Sequence, residues 1–480
     1  MVGVILTAAK QNAGLNINQN RPMKRFQSLV RVTLGVLTLA NVGGAQRANK
    51  AATQAAIDSV VASFLKEGKA AGISVGIVRG NDTLVLKGYG KADLELDVPT
   101  PPHAVYEIGS VTKQFTASGV LLLADEGKLS LDDDLTKYLP DYPTAGNKIP
   151  IRRLLDHTSG IKGYTELPKF GTIMTRKLPK DSLVALFKDV PFDFPTGSGM
   201  VYNNSAYFLA GMIIEKVAGM PYSEFVAKRF FEPLGMKDSH YCNERKIVKN
   251  RAHGYDMGPG GQLMLKGYLD HTYPYAAGSL CSTAWDLVTW LQALHSGRVL
   301  PEKAYRQLIT PDTLNDGTRL RYAKGVALST VAGHPAIEHG GGINGFVTAS
   351  AWLPEEKMAV AVLINTAGPV SADSVAASLV EVVLGRRSDV RAASASDVAP
   401  YAGTYQGAGR GAALTLTFTA DSGYLTAKPQ GNQPAARLTS LGNDTFARGR
   451  ERFYFKRDGA RVVSVRVDRV YQNTVLTRRP

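Results

Sequence analysis

Ser110-Val111-Thr112-Lys113 opens an apolar run, Gln114 to Ala124, with no proline and few polar residues. Such a run predicts a largely buried helix. Residues i and i+3 share a helix face, so the Ser110 hydroxyl and the Lys113 amine can meet. A serine hydroxyl titrates far above neutrality and needs a base beside it to act as a nucleophile. A lysine among apolar neighbours can be that base, because burial disfavours its charged form. A helix start adds unpaired backbone N–H groups and partial positive charge, which suits formation of an oxyanion. The pattern alone is weak: a chain of 480 residues shows about one S-x-x-K by accident. A second copy, Ser159-Gly160-Ile161-Lys162, stands in a His157-Thr158-Ser159-Gly160 turn, not at a helix start.

Two distant segments strengthen the first. Phe194 to Asn204 is a Pro/Gly loop that delivers Tyr202-Asn203-Asn204 into a helix, Ala206 to Val217, and His339-Gly340-Gly341-Gly342 lies between two strand-like runs. Each short pattern has decoys: Tyr241-Cys242-Asn243 and Tyr471-Gln472-Asn473 for the first, His295-Ser296-Gly297 for the second. Only one choice gives Ser-x-x-Lys, Tyr-x-Asn and His-x-Gly in that order, each in a fitting local context.

The surrounding elements follow from periodicity. A helix from Asn49 to Lys66 and a strand pair from Gly72 to Gly90 precede the Ser110 helix. Ala336 to Glu338, Val347 to Leu353 and Met358 to Ile364 complete an antiparallel sheet, packed by a helix from Ser371 to Leu384. Residues from about Leu131 to Tyr275 are predicted as a mainly helical subdomain, with the cleft between it and the sheet. The fold class is α+β: an antiparallel sheet flanked by helices plus the helical subdomain, followed by a small all-β barrel or sandwich.

On these residues the chain resembles the penicillin-recognising serine hydrolases, in the branch of AmpC-like β-lactamases, DD-carboxypeptidases, D-aminopeptidases and related esterases. The resemblance runs from about Ala51 to Leu384 and includes Tyr106 to Ser110, Leu154 to Ile161, Phe231 to Met236 and Ala276 to Leu287. It implies that Ser110 is the acylated nucleophile and that Lys113 and Tyr202 share the proton work, either being the base. It implies that Asn204 binds the substrate amide and holds Lys113. Gly341 and Gly342 lie on the oxyanion strand, where the N–H groups of Gly342 and Ser110 would meet the developing charge. His339 is a substrate-binding candidate at the position where many β-lactamases carry lysine. A largely neutral histidine is a poorer anchor for a carboxylate, so peptidase or esterase work is favoured over efficient β-lactam hydrolysis. The implied function is acyl-enzyme hydrolysis of D-amino-acid peptides, β-lactams or small esters. The alternative is a catalytically weak penicillin-binding or peptidoglycan-sensing protein on the same scaffold.

Two other chemistries are set aside. Gly72-Ile73-Ser74-Val75-Gly76 matches the G-x-S-x-G elbow, but alternation runs straight through Ser74 into a hairpin, so Ser74 sits mid-strand. The remaining histidines show no ligand spacing, so neither a metal nor a cofactor is expected.

Length, at 480 residues, allows several domains, and 44% hydrophobic with 20% charged residues argues against large-scale disorder. Residues 1–45 are read as an upstream extension and secretory signal, with the basic Met23-Lys24-Arg25, the apolar Val32 to Ala40 and a small-residue cut near Ala45. Export to the periplasm or the extracellular space follows. Residues 46–385 form the hydrolase domain, 386–400 an Ala/Ser-rich linker and 401–480 an accessory β domain. From Arg386 onward stand 16 basic and 7 acidic residues, whereas the hydrolase region is nearly neutral. The basic tail suits an anionic cell-envelope polymer; with no recognition motif, nucleic acid is not expected. Cys242 and Cys281 allow one optional disulfide.

Overall fold

Alternation governs the larger part of the molecule. In the strand Met358–Ile364, Met358, Val360, Val362 and Ile364 pack with Ile57 and Val61 of a helix and with Val375 and Leu379 of the helix Ala372–Leu384. Ala359, Ala361 and Leu363 face the other way, into a core that holds Leu287 and Leu291 of the helix Ala284–His295. Burying one such aliphatic side chain stabilises the fold by about 1.5–3 kcal/mol. The seven-stranded antiparallel sheet has the spatial order Ala327–Val331, His334–Ile343, Phe346–Leu353, Met358–Ile364, Gly72–Arg79, Asp82–Asp93, Val98–Pro99.

These descriptions come from a computed structural model that describes residues 50–66, 69–387 and 397–480. The predicted signal and most of the linker lie outside the described residues. Contacts divide the chain into residues 1–53, of which only the helical 50–53 are described, and residues 54–480.

Three expectations are corrected. The glycines after His339 are not a loop between strands: the strand His334–Ile343 runs through them and turns only at Asn344-Gly345 into Phe346–Leu353. Glycine is a poor strand former, but close approach by another segment calls for it here. The stretch from Leu131 to Tyr275 is less helical than expected. Its one long helix is Asn204–Ala218; the others are short, and loops and two- or three-residue strands fill the rest. The helix expected to begin at Ser110 begins as a 3₁₀ turn, Gly109–Val111, that passes into the α-helix Thr112–Asp125.

A three-stranded sheet pins the entry to that turn. Tyr106–Glu107 and His240–Tyr241 flank Leu280–Ser282, and Cys281 is disulfide-bonded to Cys242.

The C-terminal residues form a nearly closed, barrel-like sheet around Tyr405, Leu416, Phe418, Phe453, Phe455, Val465 and Leu476. The two ends of its strand order, Ala436–Arg437 and Thr439–Gly442, are separated in sequence only by the buried Leu438. A tenth strand is Met200–Val201, from the hydrolase region, paired with Asn473 and Gln472. Much of the basic excess is spent in ion pairs: Arg450 with Glu338 and Asp373, Arg457 with Asp444, Arg466 with Asp316, Arg469 with Glu451.

Candidate active site

Gly109 adopts φ 51°, and a Cβ there would come within 2.9 Å of the Gly342 nitrogen. Both facts require glycine. The turn places Ser110 outside the helix proper. The N-cap position is Val111, with no side-chain cap bond, so the Ser110 hydroxyl does not serve as a cap.

Lys113 is fully buried, and its Nζ makes three contacts: Ser110 Oγ at 3.1 Å, Asn204 Oδ1 at 2.9 Å and the Ala277 carbonyl at 2.8 Å. Burial, helped by the positive field of Arg410, holds its pKa well below the ordinary lysine value, against a smaller opposing effect of Glu166. A neutral amine has two N–H groups, and the two acceptor-only oxygens of Asn204 and Ala277 take them. In that form the lone pair is left for the Ser110 hydroxyl; as an ammonium, Lys113 donates to Ser110 Oγ.

The Tyr-x-Asn segment is set by its helix start. Asn203 is the N-cap of Asn204–Ala218: its side-chain oxygen accepts from the Ala206 N–H at 2.9 Å and its amide donates to the Ile161 carbonyl. The Asn203 N–H donates to His157 Nδ1 at 3.1 Å, so that buried ring is structural and its proton sits on Nε2. Asn204 donates from Nδ2 to Thr165 Oγ1 at 3.2 Å, which turns its oxygen toward Lys113. Tyr202 has a buried hydroxyl with no protein hydrogen-bond partner in good geometry. Its ring lies 4.6 Å from Lys113 Nζ. Burial pushes the phenol well above its ordinary pKa; proximity to Ser110 opposes this, so the group holds its proton.

His339 is brought to the same place but is occupied. Nδ1 donates to the Gly340 carbonyl at 2.6 Å, which fixes the tautomer, and Nε2 accepts from the Tyr322 hydroxyl at 2.9 Å. Burial, then the field of Lys113, lower its pKa to about 3. The ring is neutral at pH 7, and both nitrogens are engaged within the protein. Gly341 and Gly342 follow on the strand. A Cβ on Gly341 would strike the Ile108 carbonyl, while the Gly342 position is open.

A cavity of about 450 Å³ is lined by Ser110, Tyr202, Asn204, His339 and the three glycines. Arg410 and Tyr471, both from loops of the C-terminal sheet, also line it, as does Asp373 at the start of the helix Ala372–Leu384. The Arg410 guanidinium lies 5.2 Å from the Tyr202 ring centre, and its Nε donates to Glu166 at 2.6 Å. Sequence reasoning missed these two. Tyr471-Gln472-Asn473 looked like a decoy, and the only signal for Arg410 was its place in the glycine-rich Gly407 to Gly411.

The rival serines are elsewhere. Ser74 is buried mid-strand between Leu363 and Gly88, hydrogen-bonded to Tyr106 Oη at 2.9 Å. Lys162 is paired with Asp193 at 2.6 Å, and Ser159 Oγ accepts from the Ile161 N–H. Among the described residues, Asp93-Glu95-His253 and Glu107-Glu244-His271 bring metal-type ligands together despite the lack of sequence spacing. In the second group the Lys266 ammonium already sits on Glu107.

Residues 57–384 match the profile of the Beta-lactamase family. The chain belongs to that family, and its body is the serine hydrolase scaffold shared by β-lactamases and penicillin-binding proteins. It is similar to the putative penicillin-binding protein PbpX of Bacillus subtilis (31% identical, covering 52% of this chain and 61% of that one). The chain spans about three fifths of the length of the curated relatives it matches. Among solved structures it is similar to the octameric penicillin-binding protein homologue of Pyrococcus abyssi (25% identical, TM-score 0.62, covering 88% of this chain and 99% of that one). It is also similar to a D-stereospecific amidohydrolase of Streptomyces sp. (27% identical, TM-score 0.59, covering 70% and 99%).

Proposed function

We propose that the protein is a serine hydrolase that works through an acyl-enzyme on amides, peptides or small esters of D-amino acids. The observation that carries this is the Lys113 amine, buried, held by two carbonyl-type oxygens and 3.1 Å from Ser110 Oγ. In the step this supports, Ser110 Oγ attacks the substrate carbonyl carbon while its proton passes to Lys113. The N–H groups of Ser110 and Gly342 receive the oxyanion. The Tyr202 hydroxyl gives its proton to the leaving nitrogen or oxygen and regains one from the Lys113 ammonium; the bond to the leaving group breaks and an ester remains on Ser110. Water then attacks that ester, giving its proton to Lys113, and the returning proton restores Ser110. Lys113 is the base because its pKa is lowered, while that of Tyr202 is raised.

The D-amino-acid reading draws on the Streptomyces relative and on the cavity's charge. His339 is neutral; the charged lining residues are Arg410, paired with Glu166, and Asp373, paired with Arg450. A permanent cation suits a substrate carboxylate, which favours peptidase or amidase substrates. Export, expected from the amino end, is supported by the Cys242–Cys281 disulfide, a bond suited to oxidising compartments. The test is a panel of nitrocefin, p-nitrophenyl butyrate, D-Ala-p-nitroanilide and a D-Ala-D-Ala peptide, with fluorophosphonate labelling read by mass spectrometry. Label on Ser110 and turnover of the D-alanyl compounds are expected; activity retained by Ser110→Ala would overturn the assignment. Acylation by penicillin with no turnover of any substrate would favour a penicillin-binding sensor.

A further inference from the structure

The strand Ala327–Val331 accompanies His334–Ile343 only as far as Ala327 opposite Glu338. Beyond that point the Gly340 N–H donates to Tyr471 Oη at 3.0 Å. Backbone donors alternate between strand edges, so the Gly342 N–H emerges on the same edge, two residues on. There it faces the Ser110 turn, as the tight approach of Gly109 to the Gly342 nitrogen requires. Tyr471 also holds the opposite side of the cavity. Its carbonyl accepts the Tyr202 N–H at 3.2 Å, and the next residues, Gln472 and Asn473, pair with Val201 and Met200. The ring stands edge-on to Tyr202 at 5.5 Å and lies 5.4 Å from His339.

We infer that Tyr471 is a positioning residue, clamping the oxyanion strand through its hydroxyl and Tyr202 through its carbonyl; this rests on the acyl-enzyme reading of Ser110. The C-terminal sheet then contributes to the chemistry, although Tyr471 itself need not touch the reacting atoms. Without the hydroxyl, the Gly340 N–H loses its acceptor and the Gly342 donor is free to drift. Displacement of an oxyanion donor slows the tetrahedral step while leaving substrate binding nearly intact.

The experiment is Tyr471→Phe in the full chain, which keeps the ring and the carbonyl and removes only the hydroxyl. Ser110 labelling by a fluorophosphonate is timed by mass spectrometry, with kcat, KM and Tm measured alongside. Labelling rate and kcat are expected to fall about tenfold, with KM within about twofold and Tm nearly unchanged. A second variant, Tyr471→Leu, removes the ring as well and should lose at least as much kcat. Wild-type labelling and kcat in Tyr471→Phe would overturn the inference, as would a loss matched by a rise in KM or a fall in Tm. If the wild type is labelled at Ser110 and Tyr471→Phe equally fast, only the positioning role fails. If the wild type takes no label at Ser110, the hydrolase reading falls and takes this role with it.

Discussion

The two walls of the cavity are made differently. One wall, Ser110, Lys113 and Asn204, comes from a 3₁₀ turn and two adjacent helices; its serine and asparagine are half-buried, while Lys113 is fully buried and held from three sides. The other, Arg410 and Tyr471, comes from strand ends and loops of the C-terminal sheet, and the Arg410 side chain is 48% exposed. A buried, hydrogen-bonded site lowers the pKa of a lysine, which the proposed proton transfer from Ser110 needs. A wetter wall with a charged arginine can select what enters. In the proposed mechanism, chemistry and selection fall to separate parts of one chain.

The largest effect that would break this division belongs to the first wall. Ser110→Ala should lower turnover of the best panel substrate by about 10⁴-fold, with binding little changed. Lys113→Met should lose about 10³-fold in kcat; it removes a buried ionisable group but leaves the Asn204 and Ala277 oxygens without their donor, so stability at pH 7 should change by no more than about 1 kcal/mol. Chemical denaturation against pH checks the sign. A lysine whose folded pKa is depressed leaves the native state with fewer bound protons than the unfolded chain, so stability rises with pH between the two pKa values, and the variant should lose that slope.

Arg410→Met should act on selection. KM for a carboxylate-bearing D-Ala-D-Ala peptide should rise about tenfold, while KM for p-nitrophenyl butyrate stays unchanged. Equal effects on both substrates would argue against a carboxylate anchor. A finer reading concerns pH. Arg410 depresses the Lys113 pKa and Glu166 raises it. The acid limb of kcat/KM should therefore move to higher pH in Arg410→Met and to lower pH in Glu166→Gln. His339, neutral down to about pH 3, should add no step near 6.5. The smallest effect is Ser74→Ala, for which activity within about twofold of wild type is expected, since that hydroxyl is sealed in the sheet against Tyr106.

Much of the first wall was legible because its signals are local. An i,i+3 pair in an apolar run brings a serine to a lysine through helix geometry alone. Tyr202 and Asn204 were readable from a Pro/Gly loop entering a helix. The sheet around Met358–Ile364 was readable from period-2 alternation. His339 was found, but its engagement was not. Tyr322, which occupies one nitrogen, lies on a different segment, and the Gly340 carbonyl that takes the other is oriented by the strand.

The sequence by itself determined the family, the order of the chemical residues and the alternating patterns of both sheets, because these depend on neighbours a few positions apart. Tertiary structure decided which wall each residue joins. Met200–Val201 completes a sheet whose other strands lie beyond residue 402. That pairing, with cross ion pairs such as Arg450–Glu338 and Arg466–Asp316, brings Tyr471 against Gly340 and Tyr202. Strand pairing between distant segments is set by backbone hydrogen bonds that any residue but proline can make, so it leaves little trace in residue type.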